Sequence, residues 1–118
     1  MNFEELHEYL LSKKFVTFDY PFDEKVIVYR VGQKIFALTS EDLPISVNLK
    51  CDPIYSLELR SLYAGIIPGY HMNKKHWNTV STQSDVDIGM VKELIDHSYD
   101  LIFSKLSKKV KEFLKEDL

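Results

Sequence analysis

The residues with the most chemistry in them are crowded into one stretch, Pro68-Gly69-Tyr70-His71-Met72-Asn73-Lys74-Lys75-His76-Trp77-Asn78-Thr79. Lys74 and Lys75 can neutralise phosphate charge. Tyr70 and Trp77 offer faces on which a base can stack, and Asn73 and Asn78 can donate and accept hydrogen bonds along an edge. His71 and His76 add positive charge as the pH falls. Between Glu58 and Asp85 there is no acidic residue, so the local sign opposes the net charge of -3 carried by the whole chain. This is the chemistry of recognition and not of bond making.

Other chemistries find less support. His71 and His76, five residues apart, fall on opposite faces of an extended segment and at poor angles on a helix. No carboxylate lies near them and Cys51 is distant, so the usual zinc spacing is absent. Cys51 is the single cysteine; it cannot make an internal disulfide, lies in no nucleophile motif and reads as a small buried hydrophobe. The four glycines are scattered and make no phosphate-binding loop. No catalytic residue, metal or cofactor is therefore expected. The rich stretch itself has a plainer reading beside the functional one: a polar loop entering a strand, two solvated lysines, and a lone tryptophan serving as a core anchor. His97 and Asp100 read as surface or structural groups, with Tyr99 at the edge of the core and its hydroxyl satisfied.

The surrounding pattern says what positions these residues. Asn2 with Glu5 three residues later forms a capping box for an amphipathic helix with Phe3, Leu6, Leu10 and Leu11 on its apolar side, ending near Lys13 and Lys14. Residues 26–31 and 34–39 are β-branched and aromatic runs separated by Gly32-Gln33, which is hairpin spacing. The run Ile45-Ser46-Val47-Asn48-Leu49-Lys50 alternates apolar and polar, so one face is core and the other presents Ser46, Asn48 and Lys50. Asp52-Pro53 starts a second helix to about Tyr63, with Ile54, Leu57 and Leu62 as its apolar stripe. Residues 65–75 read as a loop, and His76 to Thr82 as a strand. Asp85 or Asp87 caps a long third helix with Val91, Leu94, Ile95, Leu101 and Ile102 inward, and residues 107–118 form a shorter amphipathic helix with Val110, Phe113 and Leu114 on one side.

These elements predict a single α+β domain over residues 1–118, an antiparallel β-sheet with helices packed on one face. At 118 residues, 45% hydrophobic and 28% charged, the chain has the composition of one ordinary globular domain. No apolar run reaches the roughly 18 residues of a membrane span, and the N-terminus has no signal-like segment; a cytoplasmic protein without a membrane partner is expected. The acidic total excludes a protein that coats nucleic acid by its overall field, so any such contact rests on a local patch.

Three segments together resemble the MmcQ/YjbR family of small bacterial proteins: Val47-Asn48-Leu49-Lys50-Cys51-Asp52-Pro53, then Ile67 through Thr79, and His97-Ser98-Tyr99-Asp100-Leu101. The resemblance runs from the first helix, through Asp19-Tyr20-Pro21-Phe22 and Lys34-Ile35-Phe36-Ala37-Leu38, to about Leu106, leaving the C-terminal helix as the variable part. It implies a fold similar to that of the bacterial frataxin CyaY, and a DNA-binding role by analogy with a double-wing motif; it supplies no catalytic residues. Two functional readings follow. In the first, Lys50, Lys74 and Lys75 contact DNA phosphates, surrounded by Asn48, Tyr70, His71, Asn73, His76, Trp77 and Asn78. In the second, the uncovered sheet face with Asn48, Lys50, Trp77 and Thr79 meets a protein partner. The oligomeric state is not specified by the sequence.

Overall fold

The computed structural model describes residues 1–69 and 72–116. The elements in chain order are α1 (Phe3–Ser12), β1 (Thr17–Asp19), β2 (Ile27–Val31), β3 (Lys34–Thr39), β4 (Ser46–Lys50), α2 (Pro53–Leu62), β5 (Ile66–Pro68), β6 (Trp77–Ser81), α3 (Ile88–Ser104) and α4 (Lys108–Glu116). The six strands form one antiparallel sheet in the order β1-β2-β3-β4-β6-β5. Helices α1, α2 and α3 send Leu6, Leu10, Leu59, Val91, Leu94, Ile95 and Ile102 into one core against Ile27, Tyr29, Val31, Ala37, Val47, Leu49 and Val80 of the strands. This is the α+β architecture that the pattern predicts. Among the described residues no helix is long and apolar enough to cross a membrane.

Local chemistry sets the element boundaries. Asn2 Oδ1 accepts from the Glu5 N–H at 2.8 Å while Glu5 Oε1 accepts from the Asn2 N–H at 3.1 Å, the reciprocal box that starts α1. Asp52 accepts from the N–H groups of Ile54 and Tyr55 with Pro53 in the first turn of α2, and Asp87 accepts from Met90 to start α3. Asp85, the other candidate cap, instead accepts from Ala64 and Gly65 and ties the end of α2 to the approach to α3. The β2–β3 turn holds Gly32 at φ 56° and Gln33 at φ 68°, the paired left-handed conformations whose twist suits a two-residue hairpin.

The alternation in β4 comes out as expected, with Val47 and Leu49 buried in the core and Ser46, Asn48 and Lys50 half-buried between them. A smaller apolar cluster of Val28, Leu38 and Trp77, with Val26, Ile35 and Met72 packed on it, occupies the opposite face of the sheet.

Two expectations are corrected and one strand is added. The loop read from residue 65 begins with β5, because Ile66 is buried and pairs with Val80; three residues are too few to show a period. Strand β1, an exposed edge strand paired through Thr17 and Arg30, gives no alternation for the same reason. The stripe Ile54, Leu57 and Leu62 points outward, with exposures of 79%, 66% and 65%. Helix α2 rests on the sheet through Ser56 and Leu59, since the buried Asn78 beneath it needs a hydroxyl partner: Asn78 Nδ2 donates to Ser56 Oγ at 3.2 Å.

Candidate nucleic-acid interface

Antiparallel pairing sorts the chain's charges toward two ends. The pairs Val31↔Lys34 and Lys50↔Trp77 place the β2–β3 turn, the end of β4 and the loop before β6 at one end of the sheet. The helices join them there. Tyr99 Oη donates to the Lys14 carbonyl at 2.5 Å, Ser98 Oγ accepts from the Lys50 N–H at 2.9 Å, and Gly32 abuts Leu106 and Val110. Lys13, Lys14, Lys34 and Lys50 thus share an end with Lys74, Lys75 and Lys105, and the lysines of α4 extend it. Asp52, Asp96, Asp100, Glu112 and Glu116 also lie there, Asp96 in an ion pair with Lys13 at 2.9 Å, and are outnumbered.

The opposite end carries the other sign. Thr82 Oγ1 donates to the Met1 and Ile45 carbonyls, bringing the start of α1, the β3–β4 loop and the end of β6 together. Glu4, Glu5, Glu41, Asp42 and Asp85 gather in this region, with Asp23 and Glu24 on the loop before β2. Asp23 and Asp85 have their pKa values lowered by backbone N–H groups, from Val26 and Lys25 in one case and Gly65 and Ala64 in the other, which favours their charged forms.

The lysine loop is held from below. Arg60 of α2 donates from Nε to Asn78 Oδ1 at 2.7 Å and from Nη2 to the Lys74 carbonyl at 2.5 Å and the Trp77 carbonyl at 3.3 Å. Asn73 closes the turn: its side chain accepts from the Lys75 N–H at 2.9 Å and its carbonyl accepts from His76 and Trp77. On the far side, the Gly69 N–H donates to the Trp77 carbonyl at 2.7 Å, and a Cβ at Gly69 would sit 2.9 Å from Trp77 Cβ. Lys74 and Lys75 therefore project, exposed, from a turn whose backbone is fixed.

The sequence candidates separate into classes. Lys74, Lys75 and Asn73 are exposed, although Asn73 spends its side-chain oxygen on the turn. Lys50 is half-buried, and burial, followed by the neighbouring Lys105 ammonium, pulls its pKa below the usual lysine value. Asn48 is half-buried and accepts from Thr79 Oγ1 at 2.6 Å across the uncovered sheet face. His76 is half-buried and its carbonyl accepts from the Cys51 N–H. Tyr70 and His71 lie outside the described residues. Trp77 at 8% and Asn78 at 2% exposure do not offer their side chains at the surface as the nucleic-acid reading expected: Trp77 anchors the small cluster with Val28 and Leu38, in line with the plainer reading of a core tryptophan, and Asn78 is the buried partner of Arg60 and Ser56. The cations the sequence reading missed are Lys13, Lys14, Lys34, Lys105 and those of α4. They are dispersed along the chain, and only the strand pairing collects them.

Cys51 is buried, and its thiol pKa is raised, chiefly by burial. This is a poor nucleophile.

A family model described as YjbR matches residues 11–101. The chain is 38% identical over 115 residues to the uncharacterized protein YbdF of Escherichia coli O157:H7, covering 92% of this chain and 93% of that one. It is 27% identical to the uncharacterized protein YjbR of Escherichia coli K12, covering 97% and 98%. Among solved structures, Deinococcus radiodurans protein DR2400, with a domain designated DUF419, superposes with a TM-score of 0.89 at 32% identity, covering 97% of this chain and 88% of that one. A Pseudomonas syringae protein superposes at 0.75 with 28% identity, covering 86% and 98%.

Proposed function

This chain belongs to the YjbR family, and we propose that it is a nucleic-acid-binding module whose contact surface is the lysine-rich end of the sheet. The observation that carries this reading is the segregation of charge: an acidic protein presents a cationic end assembled from several separate segments of the chain. Cations spaced over one end suit a phosphate backbone, because each neutralised phosphate releases condensed counterions. Lys74 and Lys75 stand on a turn fixed by Arg60, Asn73 and Gly69, so little conformational freedom beyond their side chains is lost on contact. With Trp77 and Asn78 buried, the described part of this surface reads phosphates and shape more than base edges.

The test is anisotropy of a labelled duplex and a labelled single strand. With three or four phosphate contacts, affinity should fall about a hundredfold between about 50 and 200 mM salt. The Lys74→Ala, Lys75→Ala double variant should bind about tenfold more weakly and with a shallower salt dependence. No binding at low salt, or binding indifferent to both lysines, would sink the reading.

A second reading, a protein-interaction module, draws on a different surface from the sheet face that the sequence suggested. Ile54, Leu57 and Leu62 make an outward apolar ridge on α2, and Ile67 on the neighbouring edge strand β5 is also exposed. Such a ridge is what a partner covers. Capture of a protein that Leu57→Ser abolishes while leaving the melting temperature intact would favour it.

A further inference from the structure

Helix α4 joins the rest of the fold without burying any of its residues. It meets the β2–β3 turn through Val110, while the space between α4, β1 and that turn stays open as a cleft of about 420 Å³. That is within the usual size range of small-ligand sites. Phe15, Val110, Phe113 and Leu114 give the cleft its apolar surface, and Arg30 and Lys109 stand among its lining residues. Phe113 is 65% exposed, so a bulky ring is left partly in water beside the opening. None of the described lining residues is acidic. Just outside the lining, Asp19 accepts from Arg30 Nε at 3.1 Å, and the Gln33 carbonyl accepts from Arg30 Nη1 at 3.4 Å. A guanidinium carries five N–H groups, so these contacts hold it in place and leave donors for a ligand.

We infer that this cleft is a binding site for an amphipathic carboxylate, an acyl chain or aromatic ring lying against Phe113 and Leu114 with its carboxylate on Arg30 and Lys109. Each part of the site selects for part of that ligand. A purely apolar molecule leaves the remaining Arg30 N–H groups and the Lys109 ammonium unused, and a small inorganic anion leaves Phe113 exposed. A carboxylate with an apolar body satisfies both, because the planar guanidinium matches its two oxygens and the aromatic wall removes apolar surface from water. The site shares Lys109 and the β2–β3 turn with the lysine-rich end but does not rest on nucleic-acid binding: Lys74 and Lys75, on which that reading is tested, belong to the β5–β6 loop, across β4 from the β2–β3 hairpin.

The experiment is an amide NMR titration of the full chain with decanoate below its micelle-forming concentration, with decanol as the uncharged control. Saturable shifts are expected at Gly32, Gln33 and Lys109. Phe113→Asp changes an exposed residue and should leave the melting temperature unchanged while weakening decanoate about tenfold; Arg30→Gln, and the replacement of decanoate by decanol, should each cost about the same factor. If Arg30→Gln fails to fold, Lys109→Gln tests the same charge recognition. Absence of saturable shifts, shifts confined to other parts of the protein, equal binding of decanol, or indifference to Phe113→Asp would overturn the proposal.

Discussion

Asp85 shows how one side chain can join elements that the sequence leaves apart. Reading along the chain makes it an equal of Asp87 as the cap of α3. In the fold it accepts from the Ala64 and Gly65 N–H groups, and its carboxyl pKa falls below the ordinary value for that reason. A carboxyl with a lowered folded-state pKa contributes stability above its unfolded pKa and loses it as the pH falls through the folded value. Asp85→Ala should therefore lower the melting temperature at pH 7, and the difference from wild type should shrink as the pH is taken down through and below about 4. A difference that is constant with pH would show that the carboxylate is not the source. Arg60 is the complementary case. Nothing nearby in the sequence marks it, yet it satisfies buried Asn78 and holds the lysine turn. Arg60→Ala should cost about 2 kcal/mol by denaturant unfolding and loosen residues 73–77 in amide exchange, as expected when a charged donor to a buried amide is removed.

At the scale of elements, what was legible is what has a period. The hairpin spacing around Gly32-Gln33, the alternation of β4 and the capping box of α1 each impose a local pattern that survives folding. The three-residue strands β1 and β5 have no room for one, and their pairing depends on neighbours remote in sequence. For α2 the period correctly indicated a helix but not which side faces inward, because Ile54, Leu57 and Leu62 made the apolar stripe while the buried Asn78 draws the Ser56 side inward. The two faces should differ sharply on mutation. Leu57→Ala, on the outer ridge, should change stability by no more than about 0.5 kcal/mol. Leu59→Ala, at 1% exposure, should cost about 2–5 kcal/mol. Similar costs for both would contradict this placement.

Across the whole molecule, the net charge of -3 is a sum that hides its arrangement. Even the shortest principal extent, 26 Å, exceeds twice the screening length of about 10 Å at 0.1 M salt, so the two ends act on their surroundings almost independently. Composition excluded binding by overall field and left a local patch, and the fold enlarges that patch from Lys50, Lys74 and Lys75 to a whole end. Its extent was hidden because Lys14, Lys34 and Lys105 meet only after the strands pair. Two single charge reversals should expose the arrangement: Lys75→Glu should weaken duplex binding about tenfold or more, and Glu41→Lys should alter it by less than about twofold. Comparable effects from both would mean that net charge and not placement governs any binding.

The pinned lysine turn also bears on how such proteins can diverge. Gly69 enters the loop through a gap with no room for a side chain, and Asn73 closes it against the start of β6. Lys74 and Lys75 stand between Asn73 and the start of β6 with their side chains exposed and unused by the turn, so they can be recharged without disturbing strand pairing, much as a tool holder accepts different bits. A lineage could retarget this end of the molecule by editing a few codons, while a change at Gly69 itself would have to be accommodated by the sheet.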